Sequence, residues 1–185
     1  PLAVRSTQTI KAIVSVNGVE KQTLSQAFIF NKATAQKITL ANAPSKNYPG
    51  DGAFTLVNGI WNERGLQKRH EFLGFSGTNL DATIEMSSLQ TIKEVNVGIF
   101  EAVNSWIYRP AAIEVYISAD GSNYTLAGTA NQFTMATPLR KVGVSFQPQQ
   151  ARFVRVVLKN YGTIPAGNPG AGSPAWLFAD EIEIN

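Results

Sequence analysis

The sequence predicts an all-β sandwich, and three observations lead to that fold class. Apolar and polar residues alternate with a period of two along most of the chain, as they do in strands that bury one face. The alternating segments are short, and Gly, Pro and Asn separate them. The 3.6-residue periodicity of amphipathic helices is almost absent. Many short strands with this punctuation are typical of a sandwich.

Ten segments have the length and the alternation of a strand. In chain order they are Thr9–Val16, Ala27–Phe30, Lys37–Leu40, Asp81–Met86, Glu94–Glu101, Ala112–Ala119, Tyr124–Thr129, Lys141–Phe146, Arg152–Lys159 and Asp180–Ile184.

The first two strands stand apart because they have the pattern of a separate hairpin. "TIKAIVSV" runs into the Asn17–Gly18 pair, a strong turn signal, and "AFIF" follows as the return strand. Two or three strands bury too little surface to be stable alone. Residues 1–32 are therefore either a remnant of a preceding domain or a ribbon added to the main one.

The connections between the other strands are of two kinds. "SSLQT", "ADGSNY" and "QPQQA" are short and polar, whereas three connections are long and carry most of the candidate binding residues. The long ones are 41–79, 102–110 and 161–177. If successive strands reverse direction from Lys37 onward, these connections lie at one end of the sandwich. We therefore expect all three tryptophans to gather there.

Composition excludes several classes of function. With 185 residues, 44% hydrophobic and 16% charged, the chain has room for one well-packed domain. The net charge of +3 is scattered, and no basic cluster of the kind that reads nucleic acid is present. The absence of cysteine rules out disulfides and thiolate metal sites. No stretch is long and apolar enough to predict a membrane span or signal peptide.

Five stretches carry a resemblance to a known family. They are "NYPGDGAFTLVNGIW", "DATIEMSSLQTIKEVNVGIFE", "NSWIYRPAAIEVYISADGSNY", "ARFVRVVLKNYG" and "GAGSPAWLFADEIEI". They resemble coagulation factor V/VIII type C, or discoidin, domains, and most of all the family 32-like carbohydrate-binding modules of bacterial hexosaminidases and other glycoside hydrolases. The string "RPAAIEVYISADGSNY" is the most specific, because it joins the central strand to a characteristic turn.

The resemblance covers residues 33–185 and implies a jelly-roll β-sandwich of the galactose-binding type that binds sugars with loops at one end. Residues 1–32 are similar to the tail of the immunoglobulin-like domain that precedes such modules in chitobiase-like enzymes. The resemblance implies a monomeric, extracytoplasmic module without hydrolytic activity. Because the chain begins with Pro1, we expect it to be part of a longer polypeptide with the catalytic domain upstream.

Sugar binding needs a flat aromatic ring and a few fixed polar groups. Trp176 is the first candidate for the ring, because the Gly- and Pro-rich loop before it holds it with little entropy loss on binding. The alternative is that Trp176 plugs the end of the sandwich. Trp106 and Tyr108 are further candidates in "NSWIYRP", where Arg109 can give bidentate bonds to adjacent hydroxyls.

His70 and Trp61 have weaker signals. His70 is the only histidine, and family members that bind galactose-type sugars often place a histidine in the corresponding loop. Its alternative role is that of an ordinary solvated loop residue. For Trp61 we expect a structural position, since it resembles a core tryptophan of the family.

The resemblance also implies a structural calcium ion, which takes six to eight oxygen ligands. The family site uses an Asp-Gly pair and a glutamate of the last strand, and the matching residues here are Asn58, with Gly59, and Glu181. Asn in place of Asp removes one negative charge, so we expect weaker calcium binding. Asp51 is a candidate to supply the missing charge.

The functional prediction is a non-catalytic module that directs a linked glycoside hydrolase to glycans containing N-acetylhexosamine or galactose. The alternative is a structural spacer that packs on the catalytic domain without binding sugar. Catalysis by this chain is not expected, because the long loops have no paired carboxylates, nucleophile elbow or histidine pair. Membrane adhesion, as in animal discoidin domains, would need apolar spikes beside a basic ring, which the loops lack.

Overall fold

The computed structural model describes residues 3–133 and 137–185. Within these ranges the strands are β1 (Gln8–Val16), β2 (Val19–Phe28), β3 (Lys37–Leu40), β4 (Leu73–Ser76), β5 (Leu80–Phe100), β6 (Ala112–Ser118), β7 (Thr125–Ala130), β8 (Leu139–Lys159) and β9 (Trp176–Ile184). Short 3-10 helices span Gly52–Val57, Gly65–Glu71 and Val103–Ser105. The predicted all-β fold is confirmed. No helix among the described residues has the length and apolar character needed to cross a membrane.

Two long strands connect the two layers of the sandwich. β5 and β8 are each 21 residues long and run antiparallel along their whole length. The register between them breaks after Glu85 and again after Ile92, where both strands bend from one layer into the other.

The sequence analysis divided each of these strands into two at "SSLQT" and "QPQQA", and this division was wrong. The polar residues keep the ladder intact across the bend, since Gln90 pairs with Ala151 and Thr91 pairs with Gln150. Pro148 has no partner in the register, so its missing N–H costs no ladder hydrogen bond.

The first layer holds β3, the first half of β5, the second half of β8, β6 and β7. The second layer holds β4, β9, the second half of β5 and the first half of β8. One apolar cluster fills the space between them, with Ile84, Val115 and Val156 from the first layer and Val97, Ile182 and others from the second. The jelly-roll sandwich is thereby confirmed, and β5 enters and leaves it at the same end.

β1 and β2 form a separate two-stranded sheet, which we call the N-terminal ribbon. The ribbon is tied to the sandwich by the Ile29 N–H, which donates to Gly59 O at 2.8 Å, and by the Lys32 N–H, which donates to Ile184 O at 3.1 Å. The predicted hairpin is therefore present, but its return strand is Val19–Phe28 directly after the Asn17–Gly18 turn and not Ala27–Phe30, which was wrong; Pro1 and Leu2 lie outside the described residues. Its relation to an immunoglobulin-like domain stays a prediction.

Candidate functional site

The long connections meet at the end of the sandwich where β5 begins and ends. We call this end the rim and define it as segments 76–79, 101–110 and 160–176. The Gly77 N–H donates to Ala175 O at 2.9 Å, and the Ala175 N–H donates to Gly162 O at 2.8 Å. The Trp176 N–H donates to Trp106 O at 2.8 Å. The predicted convergence of the long connections is confirmed for these segments.

Asn160 holds the rim together. Its side-chain amide donates to Thr78 O at 3.2 Å and to Ala175 O at 3.1 Å, and its side-chain oxygen accepts the Gly162 N–H at 2.9 Å. The backbone N–H of Asn160 donates to Asn79 Oδ1 at 2.8 Å. One half-buried residue thus links β8 to two of the rim segments.

The Gly- and Pro-rich loop between β8 and β9 is ordered by its own hydrogen bonds. The Ile164 N–H donates to Ser173 O at 2.9 Å, and the Gly172 N–H donates to Ile164 O at 3.0 Å. Thr163 and Pro174 form an isolated antiparallel bridge. The loop therefore folds back on itself and offers a preformed surface.

Trp106 presents the most accessible indole of the rim. Its backbone lies in the left-handed region at φ 66°, which closes the Val103–Ser105 helix. A Cβ atom added at Gly170 would overlap Cε2 of the indole, so the ring lies directly on this glycine. Trp106 nevertheless remains 40% exposed. A ring backed by one loop and open to solvent has the geometry of a stacking platform.

Trp176 is less accessible than the sequence analysis expected. Its ring meets Tyr48 edge to face with centroids 5.2 Å apart, and Phe178 in the same manner at 6.0 Å. It packs against a buried cluster that also holds Phe72 and Phe100. This half-buried position favours the alternative in which Trp176 fills the end of the sandwich.

Arg109 is fixed by an acid that sequence reasoning did not select. Its Nη1 donates to Glu101 Oε1 at 3.1 Å, and its backbone N–H donates to the same oxygen at 3.4 Å. The Arg109 side chain remains 42% exposed. Since a guanidinium has five donors, others stay free for a ligand. The Ala102–Ile107 bridge brings the two residues together, and neither alternation nor spacing revealed it.

Tyr108 lies beneath the rim surface. It is 5% exposed, and its ring lies 4.8 Å from that of Tyr161, which is exposed. Ile164 and Ala175 complete the pocket around it. Burial does not favour a direct sugar contact for Tyr108, and Tyr161 is the aromatic residue that it supports at the surface.

His70 and Trp61 belong to the segment between β3 and β4, outside the rim segments. His70 is exposed near the end of the Gly65–Glu71 helix. The Trp61 indole N–H donates to Glu183 Oε1 at 2.7 Å, far along β9 from Trp176. The expectation that all three tryptophans gather at one end was therefore wrong, although the structural position expected for Trp61 agrees with its half-buried ring.

A cleft of about 790 Å³ opens beside the rim. We call it the rim cleft. Its walls include Glu63–Gln67, Phe100–Asn104 and Thr137–Leu139. Because Glu101 is in the wall, the guanidinium of Arg109 is anchored at its border. Apolar walls with a few fixed polar groups and this volume are typical of small-ligand sites.

Three acidic residues of β9 hold the segment that crosses the second layer. Asp180 Oδ2 accepts the Asn62 N–H at 2.6 Å, and Glu181 Oε2 accepts the Gly59 N–H at 3.1 Å. Glu183 accepts the Trp61 indole and also pairs with Lys141. Burial raises the pKa of Asp180 to about 7 and that of Glu181 to about 10. All three acids accept hydrogen bonds from segment 59–62, although alternation from Ile182 and Ile184 alone would have placed Glu181 and Glu183 in solvent.

The residues predicted for calcium fit the ion in part. Glu181 is fully buried, and its Oε1 has no hydrogen-bond partner among the described residues, as a metal-binding oxygen would. Asn58 Oδ1 already accepts the Ile60 N–H at 2.8 Å, and Asp51 is exposed. The described residues contain no cluster of three acidic, His or Cys side chains placed to bind a metal. The fit rests on Glu181.

Comparison with known proteins gives the fold. Neither a protein-family model nor a curated protein matches the sequence. Among solved structures, chitosan-binding module 1 of a Paenibacillus sp. IK-5 chitosanase/glucanase has a TM-score of 0.55 at 17% identity, over 84% of this chain and 98% of that one. This chain has the fold of such modules.

Two further structures support the same conclusion. A fucose binding module of Streptococcus pneumoniae has a TM-score of 0.53 at 16% identity, over 84% of this chain and 94% of that one. CpGH89CBM32-5 of Clostridium perfringens, in complex with GalNAc-β-1,3-galactose, has a TM-score of 0.51 at 16% identity, over 80% of this chain and 94% of that one. At these identities the likeness establishes the jelly-roll sandwich.

Proposed function

We propose that this chain is a non-catalytic carbohydrate-binding module whose ligand docks at the rim. The observation that carries the proposal is the joining of the loops by hydrogen bonds, with the open Trp106 ring and the Arg109–Glu101 pair beside the rim cleft. The three solved structures named above lend support, since a chitosan, a fucose or a GalNAc-galactose ligand appears in their names.

Each interaction is worth little, so we expect weak binding. A stacked ring contributes about 1 to 2 kcal/mol, and a well-placed hydrogen bond contributes about 1 kcal/mol. Together one ring and a few hydrogen bonds give about 4 to 5 kcal/mol before the cost of association, so we expect an affinity of about 1 mM, which corresponds to about −4 kcal/mol, or weaker. Such a module acts through an attached enzyme or through several copies.

For the ligand we propose glycans with N-acetylhexosamine or galactose, and for the partner a linked β-hexosaminidase or chitobiase-like hydrolase outside the cytoplasm. Among the predicted contact residues, we expect Trp106 and Arg109 to make the main contacts with the sugar. Trp176 contributes an edge, His70 contacts only a long ligand, and Tyr108 acts through Tyr161.

A glycan array followed by calorimetry tests the proposal. Wild-type protein should bind a subset of these glycans near millimolar affinity without releasing reducing sugar, and Trp106→Ala and Arg109→Ala should bind at least tenfold more weakly while keeping the wild-type circular dichroism spectrum. If no glycan binds at 10-fold higher concentration than about 1 mM, the spacer alternative takes the place of this proposal.

We also propose that Glu181, with Asn58 and Asp51, holds a structural calcium ion. The bound ion would neutralise a buried carboxylate that is otherwise costly to ionise. Calcium should raise the melting temperature of wild-type protein more than magnesium does, and Glu181→Gln should remove the difference. Equal effects of the two cations on wild-type protein would contradict a calcium site.

A further inference from the structure

A second cavity, of about 510 Å³, lies between the N-terminal ribbon and the sandwich. We call it the ribbon cavity. Ile10, Leu24 and Ser25 of the ribbon line one side, and Trp61 and Lys68 line the other. It exists only because the ribbon lies against the segment that follows Trp61.

The ribbon is held in this position by polar contacts at separate points. The Lys68 ammonium donates to Gln26 Oε1 at 3.3 Å, close to the cavity. Farther along, the Ile29 N–H donates to Gly59 O at 2.8 Å, and the Lys32 N–H donates to Ile184 O at 3.1 Å. The cavity is therefore a defined feature of the fold.

The ribbon cavity adjoins the rim cleft. Glu63 and Arg64 line both of them, and both side chains are exposed. A ligand in the rim cleft can therefore continue past these two residues without crossing a barrier of buried side chains. The rim cleft alone reaches the size of a typical small-ligand site, about 300 to 1,000 Å³. The added length suits a chain of sugar units more than one unit.

The lining indicates an uncharged, hydroxyl-rich ligand. Over both cavities the charged residues are Glu63, Glu101, Arg64 and Lys68, which balance in sign. Glu101 pairs with Arg109, and Lys68 pairs with Glu71. Trp61, Ile10 and Leu24 offer apolar surface, and Gln26 offers hydrogen bonds. This alternation of apolar and polar groups matches the two kinds of surface on a pyranose.

We propose that the N-terminal ribbon forms one wall of an extended groove, so that the protein binds an internal stretch of a neutral, unbranched oligosaccharide. This inference rests on the proposed function and extends its site from the rim to Trp61. The ribbon then contacts the oligosaccharide directly, and the affinity of the protein for the oligosaccharide increases with the number of sugar units.

The test uses two ribbon variants that add the same ring at different positions. Ala12→Trp places the ring on the ribbon face that lines the cavity, whereas Ser15→Trp places it on an exposed ribbon residue outside the cavity. The probes are β-1,4-linked N-acetylglucosamine oligomers and β-1,4-linked galactose oligomers of one to six units. Calorimetry measures affinity, and the indole N–H signals in NMR spectra report which tryptophan is contacted.

In wild-type protein and Ser15→Trp, affinity for one series should rise at least tenfold with length, and long oligomers should shift the Trp61 signal. Ala12→Trp should bind the monosaccharide as wild type does but gain nothing with length. Length-independent binding by wild type, or equal gains in both variants, overturns the groove and leaves the rim site standing. Absence of binding to every oligomer overturns the rim site as well.

Discussion

The backbone N–H of Trp176 donates to the carbonyl oxygen of Trp106 at 2.8 Å, and the Tyr108 N–H donates back to Trp176 O at 2.9 Å. These paired hydrogen bonds hold the start of β9 against the turn that follows β5. They fix the backbone from Trp106 to Tyr108, so the Trp106 ring is preorganised before any ligand arrives.

The contact between Trp106 and Gly170 predicts that Gly170→Ala lowers glycan affinity about tenfold, the equivalent of one stacked ring. The added methyl overlaps the indole and forces it to move. Tryptophan fluorescence and calorimetry measure the change. Gly172→Ala is the matched control, because Gly172 also has a positive φ but has open space where the methyl would lie. Equal losses in both variants would show backbone strain and not ring position as the cause.

The Arg109–Glu101 pair predicts that removing the Arg109 side chain weakens glycan binding with little effect on the stability of the fold. Arg109→Ala should weaken glycan binding about tenfold, the loss of one charge-assisted hydrogen bond. Its free energy of unfolding should change by no more than about 1 kcal/mol, because exposed ion pairs contribute little. Arg152→Ala removes an equally exposed arginine that pairs with Glu85 away from the rim. If Arg152→Ala weakens binding as much, overall charge and not the rim explains the effect.

The hydrogen bonds of Asn160 predict that Asn160→Asp destabilises the fold more than Asn160→Ala. An aspartate would direct oxygen atoms at the carbonyls of Thr78 and Ala175, which now accept the amide. Each buried polar group left without a partner costs about 1 to 3 kcal/mol. Urea denaturation measures the loss. Asn168→Ala, in the same loop, should be close to neutral, since no side-chain hydrogen bond of Asn168 occurs within the described residues.

Burial of Asp180 predicts that stability falls as pH rises from about 4 to 7. An aspartate in the unfolded chain has a pKa of about 3.9, whereas burial raises the pKa of Asp180 to about 7 in the folded protein. The folded state therefore keeps a proton that the unfolded state releases, and the resulting stabilisation is complete below the unfolded pKa and lost through pH 7. Urea denaturation in the presence of a chelator measures it.

Asp180→Asn should make this decline shallower without abolishing it, since an amide does not titrate but the buried Glu181, whose pKa is also raised, still does. Asp120→Asn is the opposite control. Hydrogen bonds from the backbone N–H groups of Asn123 and Ser122 lower the pKa of Asp120, so its carboxylate stabilises the fold above the unfolded pKa. Identical pH profiles for wild type and Asp180→Asn would contradict the buried position of this carboxyl group.

Much of the fold could be predicted because alternation reports which face of a strand is buried. It predicted β3, β6 and β9 and the gathering of long loops at one end. It could not show that β5 and β8 pass continuously through a bend, since "SSLQT" and "QPQQA" have the composition of turns. Ladder pairing across the bend is a long-range property that a single polar segment does not reveal.

The sequence predicted which segments form the candidate site better than it predicted which side chains of those segments are accessible. Trp61 and Trp176 lie on long segments as predicted, but tertiary partners decide where each ring points. The Trp61 indole N–H donates to Glu183 of β9, and Tyr48 packs edge to face with the ring of Trp176. For the position of Trp61, the acids of "DEIEI" were the one signal in the sequence. Outward carboxylates in an otherwise buried strand need hydrogen-bond donors, and the Trp61 indole N–H is such a donor.

NMR titration of labelled protein with the best array glycan distinguishes sugar binding at the rim from binding elsewhere on the sandwich. We expect the largest shifts in the Trp106 indole N–H and in the backbone of Glu101–Asn104. Signals of Lys93 and Asn185, which lie at the opposite end of the sandwich, should stay unchanged. Shifts centred on that end, with the rim signals unmoved, would contradict binding at the rim.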